Sequence, residues 1–377
     1  MIPVPVFKPS RGVEEVGNWF FRNIFILSLL FFSLALILIL TSHSRAEDST
    51  LISCSDDKGV FNIIAENDLW GNGTDKHFTH GTRFSYATPN VSGLCKEEDP
   101  GLWEKARGVV QDLVPKVLEL EKSRFSFVLG QSIFTPENIR IPSLILNDRP
   151  YAGWLYIGFG FLAERPGVFG GDAFDTFEAD IGVVGPASLA EYIQEGWHDV
   201  INTTDPEGWG NQLENEPGFL LTYERKWRFY KSDPQAAGLQ LDFMPHAGVA
   251  LGNVFTYGAV GATARIGMHL EADYGAPRIR PGVQGSDFFD RPKGAFGWYV
   301  FAGVEGRVVG RNVFLDGNTF ESSHSVGKNT FVGDLQVGLV VTFREFRLAF
   351  TNIFRTDEFA GQNESDEFGA ISASFRF

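Results

Sequence analysis

The chain is poor in cysteine, in basic charge and in catalytic sequence motifs. Its 377 residues include two cysteines, Cys54 and Cys95, and their spacing excludes a CxxC metal site. Asp and Glu outnumber Lys and Arg by 47 to 32, so the net charge is −15 and nucleic acid is not an expected partner. The chain contains neither a GxSxG nucleophile motif nor an HExxH metal motif. Two common hydrolase signatures are therefore excluded.

One long apolar run is present, from Ile24 to Leu40. The small-x-small sequence Ser-Arg-Ala at 44–46 follows it, which predicts a secretory signal peptide over residues 1–46 and a mature chain over 47–377. An uncleaved anchor is the alternative, since the run lies near the lower length limit for a membrane span. In an oxidising compartment outside the cytoplasm, the two cysteines would most simply form one disulfide.

No run after residue 46 is long enough for another transmembrane helix, but apolar residues alternate with polar or small ones. Between Phe331 and Phe343, one face carries mostly Phe, Leu and Val, whereas the other carries Asp334, Gln336 and Thr342. Such alternation over about 9 to 11 residues is typical of a tilted strand in a membrane barrel. The pattern predicts twelve strands, over residues 60–68, 79–88, 124–134, 151–164, 173–184, 217–230, 238–252, 255–271, 295–309, 328–343, 344–356 and 367–377.

The last predicted strand distinguishes a membrane barrel from a soluble sandwich. Ile371, Ala373, Phe375 and the final Phe377 share one face, and this ending is similar to the signal that the bacterial barrel assembly machinery recognises. We therefore predict an all-β fold, a twelve-stranded antiparallel transmembrane β-barrel of the bacterial outer membrane. A soluble β-sandwich is the alternative.

An even number of strands places both ends of the barrel sequence on the periplasmic side and assigns every connection to one side. Residues 89–123, with an amphipathic helix predicted from Trp103 to Lys122, are then periplasmic. This places Cys54 and Cys95 on the same side, as a disulfide between them requires. The predicted outward-facing connections are 69–78, 135–150, 185–216, 310–327 and 357–366.

The residues with the most chemical character lie near the outward-facing connections. By alternation Asp68 and Thr79 face the lumen, where a carboxylate at the rim could bind a hard cation. Asp68 could instead begin a turn, and Arg149 could either bind a phosphate or hold its loop on a carboxylate. His77 and His80 flank Thr79, but this spacing is not a specific metal signature.

A long polar insertion, from Gly185 to Pro217, separates two predicted strands. Its content of Trp, Leu and Ile argues against disorder. We predict that it folds over the barrel mouth. It contains His198, which is either an ordinary surface histidine or a functional one. Trp70, Trp154 and Trp197 would line the membrane interface.

Four blocks of sequence occur in order along the mature chain. They are NDLWGNGTDKHFTHGTRFSY, NDRPYAGWLYIG, DIGVVGP…WHDVI…GWGNQLENEP and GNVFTYGAVGATARIG. In sequence, order and spacing they resemble the outer-membrane lipid A 3-O-deacylase family over nearly the whole mature chain. The resemblance implies a twelve-stranded barrel, in agreement with the strand count, and an activity that removes an ester-linked acyl chain from the lipid A of lipopolysaccharide with calcium as cofactor.

The resemblance also implies roles for individual residues. His198 matches the family's catalytic histidine, and Thr79 matches its active-site hydroxyl residue. Asn67 and Asp68 match the Asn-Asp pair at the calcium site, with Asn67 in a catalytic role and Asp68 as a metal ligand.

Two features depart from the family pattern. An acid is expected a few residues after the histidine, but Thr204 stands at that position, with Asp205 and Glu207 beside it as the candidate metal ligands. Isoleucines flank Arg140 where a more basic cluster is expected, so Arg140 and Arg149 are the candidates for binding the substrate's phosphates.

These residue types suit the hydrolysis of an ester. His198 can take a proton from water, and calcium held by Asp68, with Asp205 or Glu207, can polarise the carbonyl group. Two other classes of protein stay open. One is a non-catalytic barrel that forms a narrow pore or binds lipopolysaccharide. The other is a serine hydrolase with Ser132 as nucleophile.

Overall fold

The computed structural model describes residues 58–70, 77–90, 122–166, 171–201, 203–230, 238–292 and 295–377. These residues form twelve strands, β1 to β12 in chain order, and each pairs antiparallel with the next. Because β12 also pairs with β1, the sheet closes into a barrel, which confirms the predicted fold and excludes a sandwich. The strands are Val60–Asn67, His77–Ala87, Lys122–Thr135, Ala152–Pro166, Asp172–Val184, Glu216–Tyr230, Gln240–Gly252, Phe255–Met268, Phe296–Asn312, Phe331–Phe343, Phe346–Arg355 and Asp366–Arg376.

Strand ends differ from the predicted ones by a few residues, and the described residues include two α-helices outside the strands. Helix α1 is Ala190–Ile201 and helix α2 is Val313–Asp316. No helix in the described part of the chain is long and apolar enough to cross a membrane. The predicted signal peptide at 1–46, both cysteines and nearly all of the helix predicted at 103–122 lie outside the described residues.

The two faces of the barrel wall have opposite character. Apolar side chains cover the outside, where Ile157, Val260 and Val304 are 60%, 65% and 54% exposed. Charged side chains fill the inside, as in the pair of Arg265 Nη2 and Asp242 Oδ2, 2.5 Å apart. The outside is suited to hydrocarbon, and the charges inside are stable because they are paired.

The connection between β8 and β9 folds into the barrel. Its two ends stay close, since Asp290 N donates to Ala272 O at 2.6 Å and Ser286 N donates to Gly275 O at 3.1 Å. Between these ends, residues 273–289 contact inward-facing side chains of several strands. This segment is termed the plug.

Buried ion pairs hold the plug to the wall. Asp287 accepts two hydrogen bonds from Arg83 of β2, both of 2.8 Å. Asp273 pairs with Arg347 of β11 at 3.0 Å. Loss of one partner would leave an unpaired buried charge, so displacing the plug is costly. The lumen is therefore occupied by protein, which argues against the pore alternative.

Recordings in planar lipid bilayers test whether the plug closes the barrel. We expect wild-type protein to show no steps of ion conductance. A variant in which two glycines replace residues 273–289 should conduct, and the ends of the deleted segment can be joined because they are already hydrogen-bonded neighbours. Equal conductance from the two proteins would contradict this role of the plug.

Candidate active site

An irregularity in β2 decides where the candidate site lies. The pairing of β2 with β3 shifts register between Phe78 and His80, so that β2 carries one extra residue at Thr79. Gly81 faces the plug, and Phe78 packs in the interior against Phe134. Phe78 and Gly81 are thus consecutive inward-facing residues of β2, with two residues between them instead of one. Both of these residues, Thr79 and His80, face outward.

Thr79 does not face the lumen, contrary to the prediction. Its Oγ1 lies 2.6 Å from Oγ1 of Thr135. Thr135 shares the outward face of β3 with Ile133, which packs beneath the connection that contains α1. Strict alternation from Arg83 would place Thr79 inside, but the extra residue of the bulge reverses its direction.

Asn67 joins the end of β1 to this part of β2. Its Nδ2 donates to Thr79 O at 2.8 Å and lies 3.4 Å from His80 Nδ1, while its Oδ1 accepts from Leu69 N at 2.8 Å. Asp68, predicted as the last strand residue, instead begins a 3-10 turn and is 4% exposed. The structure thus brings the predicted residues Asn67, Asp68 and Thr79 together at the outer rim.

Helix α1 packs on the outside of the barrel. The predicted position of this insertion, over the barrel mouth, is therefore wrong for α1. Gly153 lies on the outward face of β4, and a Cβ atom there would collide with Ser188 and Ala190. Ala190 also belongs to a buried apolar cluster with Ile133 and Trp209. Glycine is thus required by the close approach of α1 to the wall of β3 and β4.

The three tryptophans predicted at the membrane interface differ in position. Trp197 is 44% exposed on α1, as an interface position requires. Trp154 is buried in the interior and stacks on Tyr156 with ring centroids 4.1 Å apart, so its predicted interface position is wrong. Trp70 ends the 3-10 turn at the rim and lies close to Gly369 of β12.

His198 lies in the last turn of α1 and is 4% exposed. Its Nδ1 is 2.6 Å from Thr204 O. A carbonyl oxygen can only accept, so Nδ1 carries the ring proton and Nε2 is the basic atom of the neutral imidazole. Thr204 thus orients the ring through its backbone, although its side chain is not the expected acid.

The connection before β4 is tied to the segment that follows α1. Ile139 O accepts hydrogen bonds from Glu207 N at 2.8 Å and from the hydroxyl of Tyr151 at 3.0 Å. The exposed guanidinium of Arg140 lies 3.4 Å from Thr204 Oγ1. Arg140 is therefore held close to the residue that orients the histidine, where it can meet an anionic group.

Arg149 is buried and pairs with Glu358 Oε2 at 3.0 Å. Its guanidinium also lies 5.5 Å from the ring centroids of Phe134 and Phe359. Burial alone would raise the pKa of Glu358, but Arg355 and Arg149 lower it below its usual value. These contacts correspond to the alternative in which Arg149 holds its loop on a carboxylate.

Acidic side chains gather around α1 and the segment after it. Burial raises the pKa of Glu195, and the negative charges of Glu191, Asp205 and Asp199 raise it further. Asp205 and Glu207 are exposed. A divalent cation would relieve the repulsion between these carboxylates, so the oxygen donors fit calcium chemically.

Sequence reasoning did not select three residues that the structure places near the site. Glu195 precedes His198 by one helical turn, and a helical rather than a loop assignment of this insertion would have found it. His80 contacts Asn67, but its outward direction depends on the bulge. His77 Nδ1 is 2.5 Å from Asp366 Oδ1 of β12, a partner distant in sequence.

Two other candidate centres lie in the lumen. Among the described residues, Glu224, His246 and Glu305 have ligand atoms within 4.8 Å of one another. Lys226 and Arg307 already pair with the two carboxylates, so this group does not need a metal for charge balance. Within the same part of the chain, no hydrogen bond joins Ser132 to a histidine, which leaves the serine hydrolase alternative without support.

Comparisons with known proteins agree with this architecture. The chain matches the family model described as outer membrane protein LpxR over residues 30–377. LpxR from Salmonella typhimurium has 20% sequence identity and a TM-score of 0.65, with 84% of this chain and 100% of that chain covered, which shows the shared fold. The transport unit of the autotransporter AIDA-I from Escherichia coli has 10% identity and a TM-score of 0.30, covers 87% of this chain and 93% of its own, and is too dissimilar to inform the fold. The comparison with curated proteins finds no significant match.

Substitution of Gly153 by Val tests whether α1 needs this close contact with the outer wall. The added side chain should displace α1, so we expect faster proteolytic cleavage within residues 185–216 of the folded barrel. Gly306→Val is the matched control, because a Cβ atom on Gly306 meets no heavy atom within 4 Å. Equal cleavage rates for both variants would show that the packing of α1 does not depend on Gly153.

Proposed function

We propose, because the chain belongs to the LpxR family of outer membrane proteins, that it removes an ester-linked acyl chain from lipid A. The observation that carries this proposal is the position of His198, on a helix that packs against the outside of the barrel wall at the rim. Lipid A lies in the outer leaflet, so its acyl chains run along that same wall. A base in the lumen could not reach them.

His198 acts as the general base. Nε2 accepts a proton from water as the water oxygen attacks the ester carbon, while the hydrogen bond from Nδ1 to Thr204 O keeps the ring in this tautomer. The bond between the carbonyl carbon and the sugar oxygen then breaks, and the imidazolium returns its proton to the leaving oxygen. The products are a fatty acid and a free hydroxyl group on lipid A.

Thr79 donates a hydrogen bond to the oxyanion that forms on the ester carbonyl. Its hydroxyl oxygen is 2.6 Å from that of Thr135. When Thr135 donates to Thr79, the hydroxyl proton of Thr79 is available for the substrate. Asn67 supports this arrangement, since its side chain holds the backbone carbonyl of Thr79.

Calcium fits the oxygen donors at the rim. Asp68 would hold it, together with Asp205 or Glu207, and the concentration of acids around α1 supports binding of a divalent cation. The bound ion would supply a Lewis acid that polarises the ester carbonyl. It would also reduce the repulsion between an acidic protein and an anionic glycolipid.

Arg140 is the better placed of the two candidate phosphate ligands. Its guanidinium is exposed beside Thr204, whereas Arg149 would have to break its buried ion pair with Glu358 to bind a phosphate.

We also propose that the barrel assembly machinery recognises the terminal strand that ends at Phe377.

Replacement of His198 by Asn tests the proposed base. We expect deacylation to fall by about 100-fold or more, because the variant loses proton transfer to the imidazole. Mass spectrometry of lipid A after incubation with the folded protein and calcium measures the reaction. His269→Asn is a matched control at the periplasmic end, where His269 has a positive φ that asparagine tolerates. Retention of full activity by His198→Asn would disprove the mechanism.

A calcium titration tests the proposed metal ligands. Chelation of divalent cations should abolish deacylation, and Asp68→Asn should raise the calcium concentration that gives half-maximal activity. Asp205→Asn and Glu207→Gln, measured separately, identify which acid contributes. Asp172→Asn at the periplasmic end of β5 should leave the titration unchanged. Full activity of the wild-type protein in excess chelator would exclude a role for calcium.

A further inference from the structure

The plug touches the inner side of the wall directly behind the candidate site. In the pairing of β1 with β2, Glu66 lies opposite Gly81, and Asn67 lies opposite His80. Because side chains alternate across a strand, Glu66 and Gly81 face the lumen, whereas Asn67 and His80 face outward. Glu66 and Gly81 therefore face the plug, and the neighbouring pair, Asn67 and His80, faces the site.

Arg278 of the plug forms an ion pair with Glu66, the inward-facing carboxylate at this end of β1. Its Nε is 2.8 Å from Glu66 Oε1 and its Nη2 is 3.1 Å from Glu66 Oε2, so the pair is bidentate. Its Nη1 donates to Gln336 Oε1 of β10 at 3.2 Å. Both Arg278 and Glu66 are 1% exposed. The plug thereby ties the end of β1 to β10, three strands away around the barrel.

The next plug residue completes the contact. The backbone N of Ile279 donates to Glu66 Oε1 at 2.9 Å. The side chain of Ile279 packs against Gly81, where a Cβ atom would lie 2.8 Å from its Cδ1. Glycine thus lets the plug approach β2 one residue from His80.

We propose that Arg278 is a positioning residue for the outer-wall site, which it holds in place by fixing Glu66 next to Asn67 and Asp68. The inference rests on the proposed function. A shift of Glu66 would move Asn67, which holds the Thr79 carbonyl, and Asp68, the proposed calcium ligand. Displacement of reacting groups by about 1 Å can lower a rate by about 100-fold, so this support from inside the barrel matters to catalysis outside it.

The variant Arg278→Lys tests the inference while keeping the positive charge. Lysine is a point charge and cannot reproduce the bidentate contact. We expect kcat to fall by about 10-fold or more with KM for lipid A changed by less than roughly twofold, because the groups displaced act on the reacting ester rather than on the bound acyl chains. Amides of residues 66–70 and 77–81 should exchange hydrogen faster than in wild-type protein.

Arg83→Lys is the matched control. Arg83 makes a bidentate contact of the same kind with Asp287 of the plug, but two residues further from the rim than Gly81. We expect its kcat and the exchange at 66–70 to match the wild type. The double variant Glu66→Gln/Arg278→Met removes both charges and leaves no unpaired ion, so it separates loss of positioning from misfolding. It should remain heat-modifiable and show a similarly reduced kcat.

The outcomes separate this inference from the proposed function. If Arg278→Lys and the double variant retain wild-type kcat and hydrogen exchange, Arg278 does not position the site. If Arg83→Lys shows the same losses as Arg278→Lys, the effect belongs to plug packing in general and the inference is wrong. If wild-type protein fails to deacylate lipid A, the proposed function fails, and the exchange at 66–70 and 77–81 still decides whether Arg278 holds the wall.

Discussion

Closure of the hydrogen-bonded ladder is the constraint on which the rest of the structure depends. A strand in hydrocarbon cannot leave its backbone groups unpaired, and the pairing of β12 with β1 removes both edges of the sheet. Once the sheet is closed, every strand residue faces either lipid or lumen. Apolar side chains such as Val304 therefore cover the outside, and charged ones such as Arg265 collect inside.

The charged interior explains how a connection without regular structure can occupy the lumen. The plug satisfies inward-facing arginines with Asp273 and Asp287, and its own Arg278 satisfies Glu66. Each ion pair is stable only while both of its members are present, because removal of one member would leave an unpaired buried charge. The same segment that fills the barrel thereby reaches the inner side of the wall beneath Asn67, so that filling of the lumen and support of the site are properties of one element.

The candidate site exists because two local features break the regularity of the wall. The bulge at Thr79 turns this residue outward towards Thr135, and Gly153 lets α1 lie directly against β3 and β4. Gly153 thereby allows α1, which carries His198, to lie on the lipid side of the wall. In a strictly alternating wall Thr79 would face the lumen, on the opposite side of the sheet from α1.

Much of the barrel could be predicted from the sequence, since period-two alternation is a local property. It yielded the number of strands and the side on which each connection lies, and sequence blocks indicated His198, Asn67, Asp68 and Thr79. The direction of Thr79 could not be predicted, because one extra residue reverses alternation and only the pairing with β3 reveals it.

Other features depend on contacts between segments that are distant in the chain. They include the ion pair of buried Arg149 with Glu358, the position of the plug, and the contact of Arg278 with Glu66. Alternation and sequence blocks thus determined the barrel, the sides of its connections and the candidate chemical groups. The tertiary structure alone decided on which side of the wall those groups lie, because that depends on register and close packing rather than on local pattern.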